Sequence, residues 1–205
     1  MRRCSTLTFA LLALLALGAE PSRAAPADDA KAVVSSTLDQ VLAVLRDRKR
    51  SEQARRSEVE RIAYARFDFA TISRLVLARN WPKLSPAQQT DFVAEFKRHL
   101  TLTYWKTLDD NRDRKVAVDG ARAEKNGDVT VRSNIESERS EPIRIDYRMR
   151  PAGSSWTVID VIIEGVSLVQ NFRAQTQEII AQDGVDHLIA KLRQKNDERT
   201  RESGG

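Results

Sequence analysis

The chain has 205 residues, of which 41% are hydrophobic, and it carries a formal net charge of +5 at pH 7. A chain of this length is expected to form one domain with a core of ordinary size. Basic and acidic residues are interspersed along most of it, so the composition favours a solvated surface of mixed charge over a nucleic-acid interface. The single cysteine, Cys4, provides no basis for a disulfide framework.

The first 24 residues have the features of a secretory signal peptide. A basic start precedes an apolar run over residues 7–19, and small residues follow at Ser22 and Ala24. An apolar run of about 13 residues is shorter than the stretch of about 20 that spans a bilayer, so cleavage after Ala24 or Ala27 is favoured over a retained anchor. Cleavage removes three arginines and one glutamate, which leaves 31 basic and 28 acidic residues.

Four helices are predicted in the first half of the chain. Apolar residues at helical spacing over 28–45 indicate an amphipathic helix, and a second, shorter helix is expected to end near Arg66. Asp68 is expected to cap a third helix. The run Ser85-Pro-Ala-Gln88 is typical of a capping box with proline at the first helical position, and it predicts a long helix that continues to about Leu108.

The apolar period then changes from helical to alternating, which predicts four strands. The first two, over 116–124 and 129–137, flank Asn126-Gly127, a strong signal for a hairpin turn. A third strand is expected over 142–150 and a fourth from Trp156. Because the connections are short, the four strands are predicted to form an antiparallel meander.

The stretch Trp156–Arg173 predicts a strand with two apolar faces that leads into a capped helix. Strict alternation puts Val158, Asp160 and Ile162 on one face of this strand and the remaining apolar residues on the other. Ser167 is expected to cap the helix that follows.

That helix is predicted to stop at Gly184 and to be followed by a short last helix up to Leu192. Residues 194–205 are polar and are expected to form a disordered tail. The predicted fold class is therefore α+β, with one domain over residues 28–193. Its four-stranded antiparallel meander sheet is packed by N-terminal and C-terminal helices.

Catalytic and metal-binding patterns are scarce. His99 and His187 each lie in a predicted helix without a second histidine or cysteine at ligand spacing, so neither a metal nor another cofactor is expected. No glycine-rich phosphate loop and no Gly-x-Ser-x-Gly motif occurs. Asp160 and Glu164, in an otherwise apolar strand, are the best candidates for an acid or base. A small hydrolase or isomerase that uses Asp160 is kept as an alternative, although a structural carboxylate is favoured.

A stripe of large side chains runs along the longest predicted helix. Phe92, Phe96, Leu100 and Tyr104 recur at i, i+4, i+8 and i+12. Such a stripe is typical of a packed core, but together with an apolar sheet face it could line a cavity too large for the protein to fill. Trp105 lies off the stripe, which indicates either an exposed patch for a protein partner or packing against the following loop. Both interpretations stay open.

The sequence resembles a known family in three segments. They are Phe67-Asp-Phe69 with Leu77-Ala-Arg-Asn-Trp81; Ser85-Pro86 with the stripe that follows it; and Asp160-Val161 through Glu164-Gly-Val-Ser-Leu168 to Asn171-Phe-Arg173. These segments are similar to MlaC, the periplasmic lipid-carrier component of the maintenance-of-lipid-asymmetry system. The family is also called the toluene-tolerance auxiliary family and includes a hopanoid-associated branch. The resemblance spans nearly the whole chain after the predicted signal peptide.

This resemblance implies a periplasmic lipid carrier, not an enzyme, that holds acyl chains in an apolar cavity between its sheet and its helices. Such a carrier passes phospholipid, or a hopanoid, between an outer-membrane lipoprotein complex and an inner-membrane ABC transporter complex. A monomer without nucleic acid is expected. The lipid head can stay in water, so no polar group need recognise it. The residues predicted to contact the acyl chains are Phe69, Ile72, Phe92, Phe96, Leu100, Tyr104, Tyr147, Met149, Val158, Ile162, Val166 and Phe172.

Overall fold

The computed structural model describes residues 26–136 and 141–202, and it has the predicted α+β fold class. The elements in chain order are α1 (Pro26–Arg46), α2 (Glu52–Arg66), α3 (Phe69–Leu77), a 3-10 helix (Ala78–Lys83), α4 (Pro86–Asp110), β1 (Val116–Ala123), β2 (Val129–Ile135), β3 (Ile143–Ala152), β4 (Ser155–Ile163), β5 (Val166–Ser167) and α5 (Leu168–Glu202), which is interrupted at Gly184. The predicted signal peptide over residues 1–24 lies outside the described residues. Within the described ranges, no helix has both the length and the apolar character needed to cross a membrane.

Side-chain caps fix the starts of α3, α4 and α5, as predicted; at α5 the Ser167 hydroxyl accepts from the Gln170 N–H at 3.1 Å. The Asp68 carboxylate accepts a hydrogen bond from the Thr71 backbone N–H at 2.9 Å. At the start of α4, the Ser85 hydroxyl accepts from the Gln88 N–H at 3.2 Å, and the Gln88 side chain accepts from the Ser85 N–H at 2.9 Å. These bonds satisfy N–H groups that the first turn of a helix otherwise leaves unpaired.

The strands form one antiparallel sheet in the order β1-β2-β3-β4-β5. The predicted meander of four strands is confirmed, and the two residues of β5 add a short fifth strand on β4. The sequence assigned these two residues to a turn and a helix cap. The hairpin between β1 and β2 turns at Gly127, where φ is 84°. This left-handed conformation favours glycine, because a Cβ atom strains the backbone there.

A β-bulge in β4 changes which side chains share a face. Arg148 pairs with Asp160, but the next residue, Met149, pairs with Val158, so Ile159 has no separate partner on β3. An extra residue of this kind shifts the alternation of side chains by one position. The predicted grouping of Val158 with Asp160 and Ile162 is therefore wrong, since strict alternation does not hold through the bulge.

The pairing across the bulge shows the two faces directly. Directly opposed residues in an antiparallel pair lie on the same face of the sheet. Val158 opposes Met149, and Val161 opposes Tyr147, which puts these four side chains on one face. Beside the bulge, the Val158 carbonyl oxygen accepts a hydrogen bond from the Asp68 N–H at 3.0 Å. That bond joins the connection between α2 and α3 to β4.

The end of α5 is more ordered than the sequence predicts. Residues 194–202 are helical, so the predicted disordered tail is wrong for this stretch; residues 203–205 lie outside the described part of the chain. Asn196 is fully buried, donates to the Glu95 carbonyl oxygen at 2.9 Å, and has its side-chain oxygen 3.0 Å from Nδ1 of His99. The helix continues because its polar residues find partners on α4.

Buried apolar side chains form three separate clusters within the described residues. The largest lies between α3, α4 and α5 and contains, among others, Ile72, Phe92, Phe96 and Phe172. A second cluster packs α1 against the sheet, and a third joins Leu45, Val59 and Trp105. A domain of this size usually has one contiguous core.

Candidate functional site

An apolar cavity of about 240 Å³ lies where the three clusters approach one another, and it is partly open to solvent. Its wall comes from α1, α2, the connection to α3 with the first residue of α3, α4, strands β3 and β4, and the start of α5. The lining residues are Val33, Val34, Thr37, Leu38, Val41, Val59, Glu60, Ala63, Arg66, Phe67, Phe69, Leu100, Thr101, Tyr104, Trp105, Leu108, Ile145, Tyr147, Met149, Val158, Val161, Ile163 and Leu168. Nearly all of these side chains present carbon to the cavity.

The sheet contributes one continuous apolar face to the wall. Tyr147 and Met149 of β3 line the cavity beside Val158, Val161 and Ile163 of β4. Burial raises the pKa of Tyr147 to about 12, although its hydrogen bond with Ser133 acts in the opposite direction. The phenol is therefore uncharged at neutral pH. This part of the wall carries no charge that would repel a hydrocarbon.

Helix α4 lines the cavity with only its second half. Leu100, Tyr104 and Leu108 follow one another at intervals of four residues, and Trp105 lies beside them. Burial also raises the pKa of Tyr104, so this hydroxyl stays protonated as well. Trp105 is buried, and its indole Nε1 donates to a carboxylate oxygen of Glu52 at 2.9 Å. The interpretation of Trp105 as an exposed partner patch is therefore wrong.

The helices α1 and α2 cover the cavity opposite the sheet. Val34, Leu38 and Val41 repeat at helical spacing along α1, and Val59 and Ala63 do so along α2. The sequence predicts the stripe on α1 but offers no local sign that it faces a cavity instead of a filled core.

Two charged residues belong to the wall, and both are on α2. Glu60 accepts a hydrogen bond from Nε of Arg56 at 3.0 Å, which pairs its charge. Arg66, the last residue of α2, is half-buried and forms no ion pair or hydrogen bond with any residue that the structure describes. The wall thus carries one uncompensated positive charge.

Half of the predicted acyl-chain residues lie in the cavity wall. They are Phe69, Leu100, Tyr104, Tyr147, Met149 and Val158. Their contact with lipid stays a prediction, because the cavity position alone does not show a ligand.

The other six predicted residues do not line the cavity. Ile72, Phe92, Phe96 and Phe172 belong to the filled cluster between the helices; Ile162 lies on the opposite face of β4; and Val166 is 57% exposed. The Phe92 and Phe96 rings stack with centroids 5.4 Å apart, and Phe96 meets the edge of Phe172 at 5.1 Å. These aromatic contacts are those of a packed core.

Asp160 has the surroundings of a structural carboxylate. It is buried, accepts a hydrogen bond from the Ser167 hydroxyl at 2.6 Å, and accepts another from the Val169 backbone N–H at 3.1 Å. It therefore caps the first turn of α5. Asp160 lies on the face of β4 away from the cavity.

The fold and the cavity define an α+β protein whose helices and sheet enclose an apolar space. The chain belongs to the MlaC protein family, whose family model matches residues 35–194. The toluene tolerance protein ttg2D of Pseudomonas putida is 26% identical over 187 residues, covering 89% of this chain and 86% of that protein. A solved structure of the phospholipid-binding protein from Ralstonia solanacearum, in complex with a phospholipid, is 30% identical with a TM-score of 0.75. That match covers 84% of this chain and 99% of the other.

Proposed function

We propose that the protein binds phospholipid acyl chains in the cavity and carries the lipid through water between two membranes. The observation that carries the proposal is the apolar wall between the sheet and the helices α1, α2 and α4. The relative from Ralstonia solanacearum, which shares the fold, is a phospholipid-binding protein with a phospholipid bound.

The physical need for such a carrier is large. Moving one methylene from an apolar environment into water costs about 0.8 kcal/mol, so a diacyl lipid with about 30 methylenes would need on the order of 20 kcal/mol to cross water unshielded. A protein that covers the chains lowers this barrier in proportion to the length that it covers. Carriage therefore requires an apolar cavity and no catalytic group.

The cavity volume indicates how much of a chain fits. An apolar cavity of about 150 Å³ holds one benzene molecule, so a cavity of about 240 Å³ holds roughly ten carbon atoms by proportion. A complete acyl chain is longer, and the proposal therefore requires the wall to move outward when lipid binds.

The place and route of carriage are also part of the proposal. The protein acts in the periplasm and passes lipid between an outer-membrane lipoprotein complex and an inner-membrane ABC transporter complex. Family membership and the predicted signal peptide support this route. A hopanoid is the alternative cargo, which the experiment below distinguishes from a phospholipid by mass.

Mass spectrometry of the protein purified from cells without detergent tests the proposal. We expect a bound phospholipid in the wild type and its loss in Val161→Asn, which puts an amide into the cavity wall. The matched control is Ile162→Asn, because Ile162 is the next residue and faces away from the cavity. A wild-type protein that is always empty, or a lipid that persists equally in both variants, contradicts the proposal.

A further inference from the structure

We infer that Arg66 binds the phosphate of the lipid headgroup at the rim of the cavity. The inference rests on the proposed function and goes beyond it, since acyl-chain binding requires no polar contact with the head. Arg66 is half-buried in a largely apolar wall, in which the other charged residue, Glu60, is paired.

Other arginines on α2 form ion pairs with carboxylates. Arg55 pairs with Asp109 at 3.1 Å, and Arg56 pairs with Glu60 at 3.0 Å. Arg66 differs, because none of the described residues offers it a carboxylate or another acceptor within bonding distance. Arg66 lies at the C-terminal end of α2, where the helix dipole favours a positive charge. Its five guanidinium N–H donors have no acceptor among the described residues.

The positive charge of the wall favours a ligand that carries an anionic group. Since Glu60 is paired with Arg56, the wall as a whole is cationic through Arg66. An amphiphile with its chains in the cavity leaves its head toward solvent, and Arg66 is a wall residue whose charged side chain is itself partly exposed to solvent. Arginine is the side chain best suited to a phosphate, because its planar N–H groups can bind two phosphate oxygens at once.

This chemistry separates two classes of lipid. A diacyl glycerophosphate lipid offers both the chains and the anion, whereas a diacylglycerol with the same chains offers no anion. Arg66 should therefore raise the affinity for the first and leave the second unaffected. Because the site is half-buried, the gain should be intermediate between that of an exposed and that of a buried charged contact, about tenfold in affinity.

The test is a competition assay in which dipalmitoyl phosphatidylglycerol or dipalmitoylglycerol displaces a fluorescent lipid from the purified protein. The variants are Arg66→Gln, which removes the charge, and Arg66→Lys, which keeps the charge but not the planar donor pair. Arg79→Gln is the matched control, because Arg79 is exposed in the 3-10 helix and does not line the cavity. Thermal unfolding of each variant checks that the fold is retained.

We expect the wild type and Arg79→Gln to prefer phosphatidylglycerol by about tenfold, and this preference to shrink with added salt. Arg66→Gln should lose the preference without losing affinity for dipalmitoylglycerol, and Arg66→Lys should lie between. Equal binding of both lipids by the wild type, or an unchanged preference in Arg66→Gln, overturns the role of Arg66 alone. Failure of the wild type to bind either lipid overturns the proposed function together with it.

Discussion

Filling the cavity from α2 should abolish lipid binding and leave the protein folded. Ala63 is the smallest side chain in the wall, and Ala63→Phe points a ring into the unfilled space. A phenyl ring occupies a space of about 150 Å³ on the scale of apolar cavities that hold benzene, which is more than half of the about 240 Å³ available. The ring therefore takes the place of about six carbon atoms of an acyl chain.

The magnitude follows from the methylenes that are displaced. At about 0.8 kcal/mol each, the loss of six buried methylenes weakens lipid binding by about 5 kcal/mol, enough to remove bound lipid from the purified protein. Burial of the ring itself contributes about 1.5–3 kcal/mol to folding, offset by about 1 kcal/mol of helix propensity and side-chain entropy. The free energy of unfolding should therefore stay level or rise slightly.

The assay combines mass spectrometry of bound lipid with urea unfolding of the same preparation. The control is Ala65→Phe, which makes the same substitution at an exposed position of α2 outside the wall. We expect wild-type lipid content in this control and none in Ala63→Phe. If Ala63→Phe keeps its lipid, the acyl chains do not occupy this cavity and the reasoning fails.

Three further predictions concern residues outside the cavity. Phe96→Ala should lower the free energy of unfolding by about 3–5 kcal/mol in urea unfolding, with unchanged lipid per folded molecule, because Phe96 is buried in the filled cluster. Asp160→Asn should lower stability by about 1–3 kcal/mol without changing lipid content, because it weakens the acceptor for the Val169 N–H. Burial lowers the pKa of His99 in the folded state, so stability should be fully present above the unfolded pKa of about 6.5 and should decrease as the pH falls toward the folded pKa. Urea unfolding between pH 7.5 and 5 should show this decrease in the wild type and a smaller one in His99→Gln.

Each of these three has an outcome that contradicts it. Loss of lipid from a folded Phe96→Ala protein would indicate that Phe96 belongs to the binding site. Loss of lipid in a stable Asp160→Asn variant would indicate that this carboxylate does more than cap α5. An identical pH dependence in wild type and His99→Gln would mean that burial does not keep His99 neutral.

Local chemistry explains why part of the fold was predictable from the sequence. Ser85 and Gln88 form a capping box within four residues, and Asn126-Gly127 determines a turn within two. Such signals depend only on neighbouring residues in the chain, so the sequence alone is enough to predict the cap and the turn. The alternation in β2 and β3 is equally local and gave the correct meander.

The bulge at Ile159 shows why part of the site could not be predicted. Every residue from Val158 to Ile163 except Asp160 is aliphatic. The hydrophobic pattern therefore does not distinguish a regular strand from one that contains a bulge. Only the pairing with β3 shows that the alternation shifts. For this reason the sequence places Ile162 on the cavity face, which Val161 and Ile163 occupy in the structure.

Contacts far away in the sequence divide the stripe on α4 between the core and the cavity wall. Phe92 and Phe96 lie beneath α5 and belong to the core, whereas Leu100 and Tyr104 continue past it into the cavity. No residue of the stripe indicates where its packing against α5 ends and the cavity begins. The same distance explains the tail, because the partners of Asn196 lie about one hundred residues earlier, as the bond to Glu95 shows.

The central claim, that acyl chains occupy the cavity, is tested most directly by a phospholipid with a photoreactive diazirine near the middle of one acyl chain. After irradiation of the loaded protein, peptide mapping should find the label on wall residues such as Leu100, Tyr104 and Val161. Labelling confined to the Phe92 and Phe96 cluster, or to the outer face of the sheet at Ile162, would contradict the account.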